Sequence, residues 1–124
     1  MVAALRLLRG RRPGLPCRTT PRRTLAADAA PPPLRGALVG CGFFAQNHMH
    51  SWGMLRESHG VEIAAICDPD PERLRITGDA FDIATEDRYD SAEVMLAAIR
   101  PSLDFVDIAT QVDSHAELVA LTAS

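Results

Sequence analysis

The chain contains no lysine. That excludes a phosphate loop of the Gly-x-x-x-x-Gly-Lys type, which needs the ammonium on the phosphates. All 13 basic side chains are arginine, which reads as a composition bias rather than a built basic patch. No apolar run approaches the roughly 20 residues a bilayer-crossing helix needs, so a soluble chain and no membrane partner are expected. Cysteine is scarce. Cys17, Cys41 and Cys67 form no Cys-x-x-Cys pair and are odd in number, which suits a reduced, cytoplasmic compartment rather than a disulfide framework. No Ser-His-Asp or Cys-His arrangement can be assembled from the motifs present.

What is present is unevenly distributed. Residues 1–35 carry eight arginines against one acid, Asp28. Residues 36–124 carry five arginines against fifteen acids. Such an acidic body lacks the basic stripe of a nucleic-acid surface, and no nucleic-acid partner is expected. Residues 1–33 are rich in Arg, Pro, Ala and Thr and end in Pro31-Pro32-Pro33. They hold too little apolar surface to offset the entropy of ordering, so a disordered extension is expected. Its scattered arginines resemble an organelle transit peptide, although serine is absent and no amphipathic repeat appears. Arg11-Arg12 and Arg22-Arg23 lack the hydrophobic stretch of an export signal. A non-structural extension is preferred over targeting.

With 47% apolar residues among 124, the remainder can form one core. Residues 34–124 read as alternating strands and helices. Ala37-Leu38-Val39 is a short buried strand, and Phe44 to about Arg56 a helix with Ala45, His48, Trp52 and Leu55 at threes and fours. Gly60 closes it. Val61 to Cys67 is apolar on both faces, as a central parallel strand requires. Asp70 followed by Pro71 starts a second helix. A short third strand is expected within Phe81 to Thr85. Asp90 and Glu93 have capping-box spacing before Val94 to Ile99. Phe105 to Ala109 is a further strand, and Asp113 or Ser114 caps a last helix. The order predicts an α/β fold: a Rossmann-type, doubly wound parallel sheet, incomplete at about four strands.

The stretch Gly40-Cys41-Gly42-Phe43-Phe44-Ala45 carries the chemistry. Gly40 permits a tight exit from the strand, and Gly42 lets a pyrophosphate approach the main chain. Ala45 stands where a third glycine would be and still allows close helix packing. The free N–H groups and dipole at the helix start favour a phosphate. A glycine turn alone is weak, but here a strand precedes it, a helix follows, and the second strand ends in an acid. That acid is Asp68, 26 residues after Gly42. Its carboxylate suits adenosine-ribose hydroxyls and repels a 2′-phosphate, favouring NAD over NADP. The bland alternative is a turn aspartate before proline. Arg73 and Arg75 keep NADP open.

Thr110-Gln111-Val112-Asp113-Ser114-His115 lies at the carboxyl end of the fourth strand, where ligands of open α/β sheets gather. Thr110 and Gln111 could face the nicotinamide ribose. His115, taken alone, is more simply a surface or packing histidine. His48 and His50 are two apart on a helix and point away from each other, and a zinc site needs three or four convergent ligands. Core packing for His48, a solvated position for His50, helix packing for Trp52 and no metal site are expected.

Taken together, four pieces resemble the glucose–fructose oxidoreductase / inositol dehydrogenase (Gfo/Idh/MocA) family over roughly residues 35–124. They are Gly40 to Ala45 with His48 downstream, Ala65-Ile66-Cys67-Asp68, Tyr89-Asp90-Ser91 with Met95-Leu96, and Asp104 to Thr110 followed by Ser114-His115. The resemblance implies a six-stranded Rossmann domain followed by an α/β domain with an open sheet. It implies NAD(P)-dependent hydride transfer at a hydroxyl-bearing carbon of a sugar or cyclitol. It places Gly40, Gly42, Phe43, Phe44 and Ala45 at the pyrophosphate turn, Asp68 at the ribose, and Thr110, Gln111 and His115 along the nicotinamide side. The family usually has Thr-Pro where this chain has Thr110-Gln111. Its Glu-Lys-Pro motif and later catalytic histidine would fall beyond Ser124, so no catalytic residue is assigned.

The expectation is therefore a partial NAD(P)-binding domain over 34–124 that binds nucleotide and is inactive alone. A sugar-like substrate would belong to a full-length parent. The alternative from another class is a non-catalytic nucleotide-binding or interaction module. A sheet edge left bare beside the fourth strand would favour self-association.

Overall fold

A computed structural model describes residues 3–6 and 30–124. The order of elements is β1 (Ala3–Arg6), β2 (Leu34–Val39), α1 (Phe43–His59), β3 (Val61–Cys67), α2 (Pro71–Ala80), β4 (Arg88–Tyr89), α3 (Ala92–Ile99), β5 (Phe105–Ile108) and α4 (His115–Ala123). The sheet runs β1-β5-β2-β3-β4. Strands β2, β3, β4 and β5 are mutually parallel, as the alternation of strand and helix demands.

The sheet sorts its apolar residues by alternation. Ala37 and Val39 of β2, with Ala65 and Cys67 of β3, join Ala92, Met95 and Leu96 of α3 on one face. Leu38 and Ile66 point the other way and meet Ala45 and Met49 of α1 and Leu74 of α2. Helices therefore cover both faces, which is why β3 reads as nearly continuous hydrophobic sequence.

Local chemistry sets most boundaries. Gly60 takes φ 60° and its N–H closes on the Arg56 carbonyl, so α1 runs to His59 rather than ending near Arg56. Asp70 accepts from the N–H groups of Glu72 and Arg73, with Pro71 at the first helical position, as expected. Gly78 of α2 is pressed against Arg88: a Cβ there would overlap its Nε. Arg88 in turn donates to the Ile83 carbonyl and pairs with Asp79 at 2.8 Å.

Four expectations are corrected. The third parallel strand is Arg88–Tyr89, not a segment of 81–85. Phe81 caps α2, Asp82 turns the chain at φ 55°, and the apolar Ile83 is buried against α1 and α2 instead of pairing in the sheet. The cap of α3 is Ser91, whose Oγ accepts from the Val94 N–H at 3.2 Å, so Asp90 and Glu93 form no capping box. Ser114 stands at the N-cap of α4, one of the two residues expected there, but makes no side-chain cap; a 3-10 turn, Val112–Ser114, leads in instead. Finally, the outer edge of β5 is not bare. Residues Ala3–Arg6 of the N-terminal extension lie antiparallel along it. The backbone groups of an edge strand take whatever extended segment can reach them. The rest of the extension, residues 1–2 and 7–29, lies outside the described residues.

The register brings the carboxyl ends of three strands into line, with Val39 opposite both Cys67 and Ile108. The loops after β2, β3 and β5 thus emerge along one edge. The chain leaves β2 toward β3 on one side and returns with β5 on the other, the switch point at which α/β sheets open a crevice.

Candidate functional site

The site begins where β2 ends. Gly40 has φ 97°, a conformation side-chain-bearing residues rarely adopt. A Cβ on it would sit 2.8 Å from the Ala109 carbonyl oxygen and 2.9 Å from Thr110 Cγ2. The missing side chain therefore lets the turn lie directly against the segment that follows β5. Gly42 differs. Its φ of −74° suits any residue, and a Cβ would meet nothing within 4 Å. What its bare α-carbon leaves is open space over the start of α1.

That helix start is built to accept an anion. No side chain caps it and its first turn holds no acid. The leading N–H groups of an α-helix have no intrahelical acceptors and carry the positive end of its dipole. Phe43 and Phe44 are strongly exposed, at 84% and 70%, with rings edge-to-face at 5.9 Å. Ala45 is fully buried beneath the sheet-facing side of the helix, so a small residue is required there. These residues fit a dinucleotide diphosphate: amide donors, a dipole end and unfilled volume coincide.

Asp68 completes the turn. It is only 5% exposed, and Oδ2 accepts from the Cys41 N–H at 2.7 Å while Oδ1 accepts from the Asp70 N–H at 2.8 Å. The carboxylate clips the glycine turn to the end of β3. Each oxygen has a second lone pair left for a ligand hydroxyl. The link to the Cys41 amide was not readable from sequence, since it depends on the 27-residue separation being closed by strand pairing.

The two arginines that kept NADP open are occupied elsewhere. Arg75 is bidentate on Glu72 and also reaches Asp79 at 3.3 Å. Its guanidinium holds Glu72 below the usual carboxylate range. Arg73 lies 3.5 Å from the Asp70 carboxylate.

On the other side of Gly40, residues 110–115 form a loop bonded to itself. Ser114 Oγ donates to the Gln111 carbonyl at 2.9 Å and lies 2.7 Å from the Thr110 hydroxyl, from which it can accept. His115 Nε2 meets the Thr110 carbonyl at 2.9 Å, so that nitrogen carries the proton. Gln111 is exposed with φ −65° and ψ 149°. Those are proline-like angles, so glutamine at this position keeps the path a proline would impose and adds an N–H. The structure thus brings Thr110 beside Gly40, leaves Gln111 on the rim and turns His115 back onto the loop.

Two cysteines flank the turn from opposite faces. Cys41 is buried with Leu38 and Ala45, Cys67 with Val39 and Ala65, and both are free thiols. Burial first, and the Asp68 charge second, pushes Cys41 up to about 12. Burial, then the neighbouring Cys41, does the same to Cys67, also to about 12. The consequence is an alkaline limit on stability. Above pH 9, the ordinary thiol value, the unfolded chain releases protons that the folded chain holds until about pH 12. The folded state then binds more protons, so stability falls with rising pH across that window. Each thiol should cost up to about a tenfold loss in folding equilibrium per pH unit. Urea unfolding midpoints measured across the window check this. Cys41→Ala should show a shallower decline, and an identical slope would contradict it.

His48 and His50 do not converge. His48 Nδ1 lies 2.9 Å from Asp107 Oδ2, whereas the exposed His50 packs edge-on against Phe81 with centroids 5.1 Å apart. His48 is thus a polar tether rather than a purely packing residue. Among the described residues, no group of three or more His, Cys, Asp or Glu side chains is placed to hold a metal ion. A cavity of about 310 Å³ opens at the opposite edge of the sheet, lined by Trp52, Gly53 and Arg56 of α1 and the first half of β3, away from the glycine turn.

The parallel sheet, the glycine turn at its switch point and the acid after β3 define a dinucleotide-binding Rossmann domain. Residues 34–123 match the oxidoreductase family with an NAD-binding Rossmann fold, Gfo/Idh/MocA, and the chain belongs to that family. It is 54% identical over 89 residues to a D-apiose dehydrogenase of Paraburkholderia graminis, covering 72% of this chain and 22% of that protein. It is 52% identical over 91 residues to a D-apiose dehydrogenase of Rhizobium rhizogenes, covering 73% and 24%. Among solved structures it is similar to an oxidoreductase from Agrobacterium radiobacter in complex with NAD+, L-tartaric acid and magnesium. That match has 52% identity and a TM-score of 0.63, over 71% of this chain and 24% of the other. The chain thus spans about a quarter of the length of the relatives it matches.

Proposed function

We propose that residues 34–124 are the cofactor-binding part of an NAD-dependent dehydrogenase acting on a sugar-like alcohol, with a pentose of the apiose type as the favoured substrate class. The observation that carries the reading is the coincidence at one sheet edge of the uncapped α1 N-terminus, the open volume at Gly42 and the buried Asp68 carboxylate. NAD, when bound, supplies a ring carbon that accepts hydride from the substrate's hydroxyl-bearing carbon. The residues present orient that cofactor. The amides at Gly42 to Phe44 receive the diphosphate, Asp68 receives the adenosine-ribose hydroxyls, and Thr110 and Gln111 border the nicotinamide side. None of them is assigned as the base that takes the alcohol proton, so this chain alone binds nucleotide without turnover.

The NAD preference is supported by the engagement of Arg73 with Asp70, the cap of α2, and of Arg75 with Glu72 and Asp79, which occupies the two guanidiniums nearest in sequence to Asp68. Calorimetric titration with NAD+ and NADP+ tests the reading. NAD+ should bind at least about tenfold tighter, a difference near 1.4 kcal/mol. Silence toward both would refute it, and robust hydride transfer by these 124 residues would refute the expected inactivity.

A further inference from the structure

Of the 17 residues of α1, only Ala45 and Met49 are fully buried. Apolar packing alone holds this helix loosely, yet its N-terminus must present amides to a ligand along a defined direction. The remaining anchors are polar. Gln46 donates to the buried Thr77 of α2 at 2.9 Å. His48 and Trp52, one helical turn apart on the sheet-facing side, both converge on one oxygen of Asp107.

Asp107 is unusual in its setting. It stands in the middle of β5, 1% exposed, directly opposite Leu38 of β2. Its Oδ2 accepts from Trp52 Nε1 at 2.6 Å and lies 2.9 Å from His48 Nδ1. Its Oδ1 is buried with no partner. Trp52 also packs at a tilt of 38° against Phe105, two residues back on the same face, with centroids 4.9 Å apart. A half-satisfied buried carboxylate is a poor way to stabilise a core; an apolar residue of similar size would serve stability as well. It is a good way to set direction, because hydrogen bonds fix geometry where van der Waals contacts slide.

We infer that Asp107 is a positioning residue for the cofactor: through His48 and Trp52 it sets the seating of α1 on β5, and so aims the open amides at Gly42–Phe44. Two residues on, just past the end of β5, the chain reaches Ala109, against which Gly40 lies. The carboxylate therefore ties the helix that receives the diphosphate to the strand that leads to residues 110–115. It touches no ligand itself and acts only through the helix it holds.

This inference rests on the NAD-binding reading above. The test compares wild type, Asp107→Ala and Asp107→Asn by NAD+ calorimetry, with far-UV circular dichroism for folding. Trp52 is the only tryptophan, so its emission reports the tether in each variant. In folded Asp107→Ala, NAD+ should bind at least about tenfold more weakly, since small misplacements of a binding group are costly. The Trp52 emission should shift in the same variant. Asp107→Asn keeps an oxygen that both donors can reach, and should restore affinity to within about threefold and emission to the wild-type position. If Asp107→Ala does not fold, Trp52→Phe carries the test: it keeps the ring on Phe105, removes one hydrogen bond and should weaken NAD+ several-fold. Wild-type affinity in folded Asp107→Ala, or in Trp52→Phe where Asp107→Ala does not fold, would overturn the inference, as would Asp107→Asn binding as weakly as Asp107→Ala. A wild-type chain silent toward NAD+ would instead refute the cofactor reading itself, and the inference with it.

Discussion

Gly40→Ala is expected to abolish dinucleotide binding and lower stability by about 3 kcal/mol, whereas Gly42→Ala should abolish binding and leave stability within about 0.5 kcal/mol. The two glycines fail for different reasons. At Gly40 the backbone has φ 97°, and a methyl group would stand 2.8 Å from the Ala109 carbonyl oxygen and 2.9 Å from its carbon. Backbone cannot swing aside as a side-chain tip can. The conformational penalty of roughly 1–2 kcal/mol adds to an overlap cost of roughly 1–3 kcal/mol. The turn then lifts off the end of β5 and the crevice changes shape. At Gly42 nothing is met within 4 Å and φ is −74°, so the apo protein tolerates alanine. The methyl group would instead fill the space proposed for the diphosphate. Urea unfolding paired with NAD+ calorimetry separates the two variants. A stable Gly40→Ala, or a Gly42→Ala that binds NAD+ normally, would contradict the assignment of the turn.

Asp68→Ala is expected to erase the proposed preference for NAD+ over NADP+ and to destabilise the fold by about 2 kcal/mol. The stability term comes from the Cys41 N–H, which is buried beside the turn and loses its acceptor, and from the Asp70 N–H, which loses its own. The specificity term is separate. A carboxylate at this position offers acceptors to ribose hydroxyls and opposes a 2′-phosphate, so removing it weakens NAD+ and relieves the repulsion of NADP+. The ratio of the two Kd values should fall from roughly tenfold or more to about one. Adding Glu72→Gln to the variant releases Arg75 from its bidentate partner, and NADP+ should then bind better than in Asp68→Ala alone. An unchanged ratio in Asp68→Ala would mean that the acid serves only to brace the turn.

The sequence and the structure agree most closely where the governing physics is local. Asp70 before Pro71 starts α2 because the carboxylate reaches amides two and three residues on, and proline needs no acceptor at that position. Gly60 ends α1 because it alone there takes a left-handed conformation without strain. They part where two local signals compete. Asp90 and Ser91 are both good caps, and the pairing of Tyr89 opposite Cys67 decides for Ser91 by fixing where the chain leaves the sheet. Ile83 looks like strand sequence, but burial against α1 and α2 uses its apolar side chain without any ladder. Gln111 departs from the family's proline, yet its backbone keeps proline's angles because Ser114 and His115 bind the loop from within. A single charge inside the apolar run Phe105-Val106-Asp107-Ile108 was the one visible sign of the α1 tether, and sequence could not name its partners.

By itself the sequence determined the alternation of strands and helices, the glycine turn and the acid placed to serve it. Each of these follows from contacts within a few residues: φ freedom, caps, and apolar side chains on one face or two. Only the tertiary structure decided that Asp68 closes on the Cys41 amide, that Gly40 rests against Ala109, and that Asp107 gathers side chains 55 and 59 residues away. Those contacts exist because strand order and register align three strand ends, and no local preference encodes which distant residues that alignment makes neighbours.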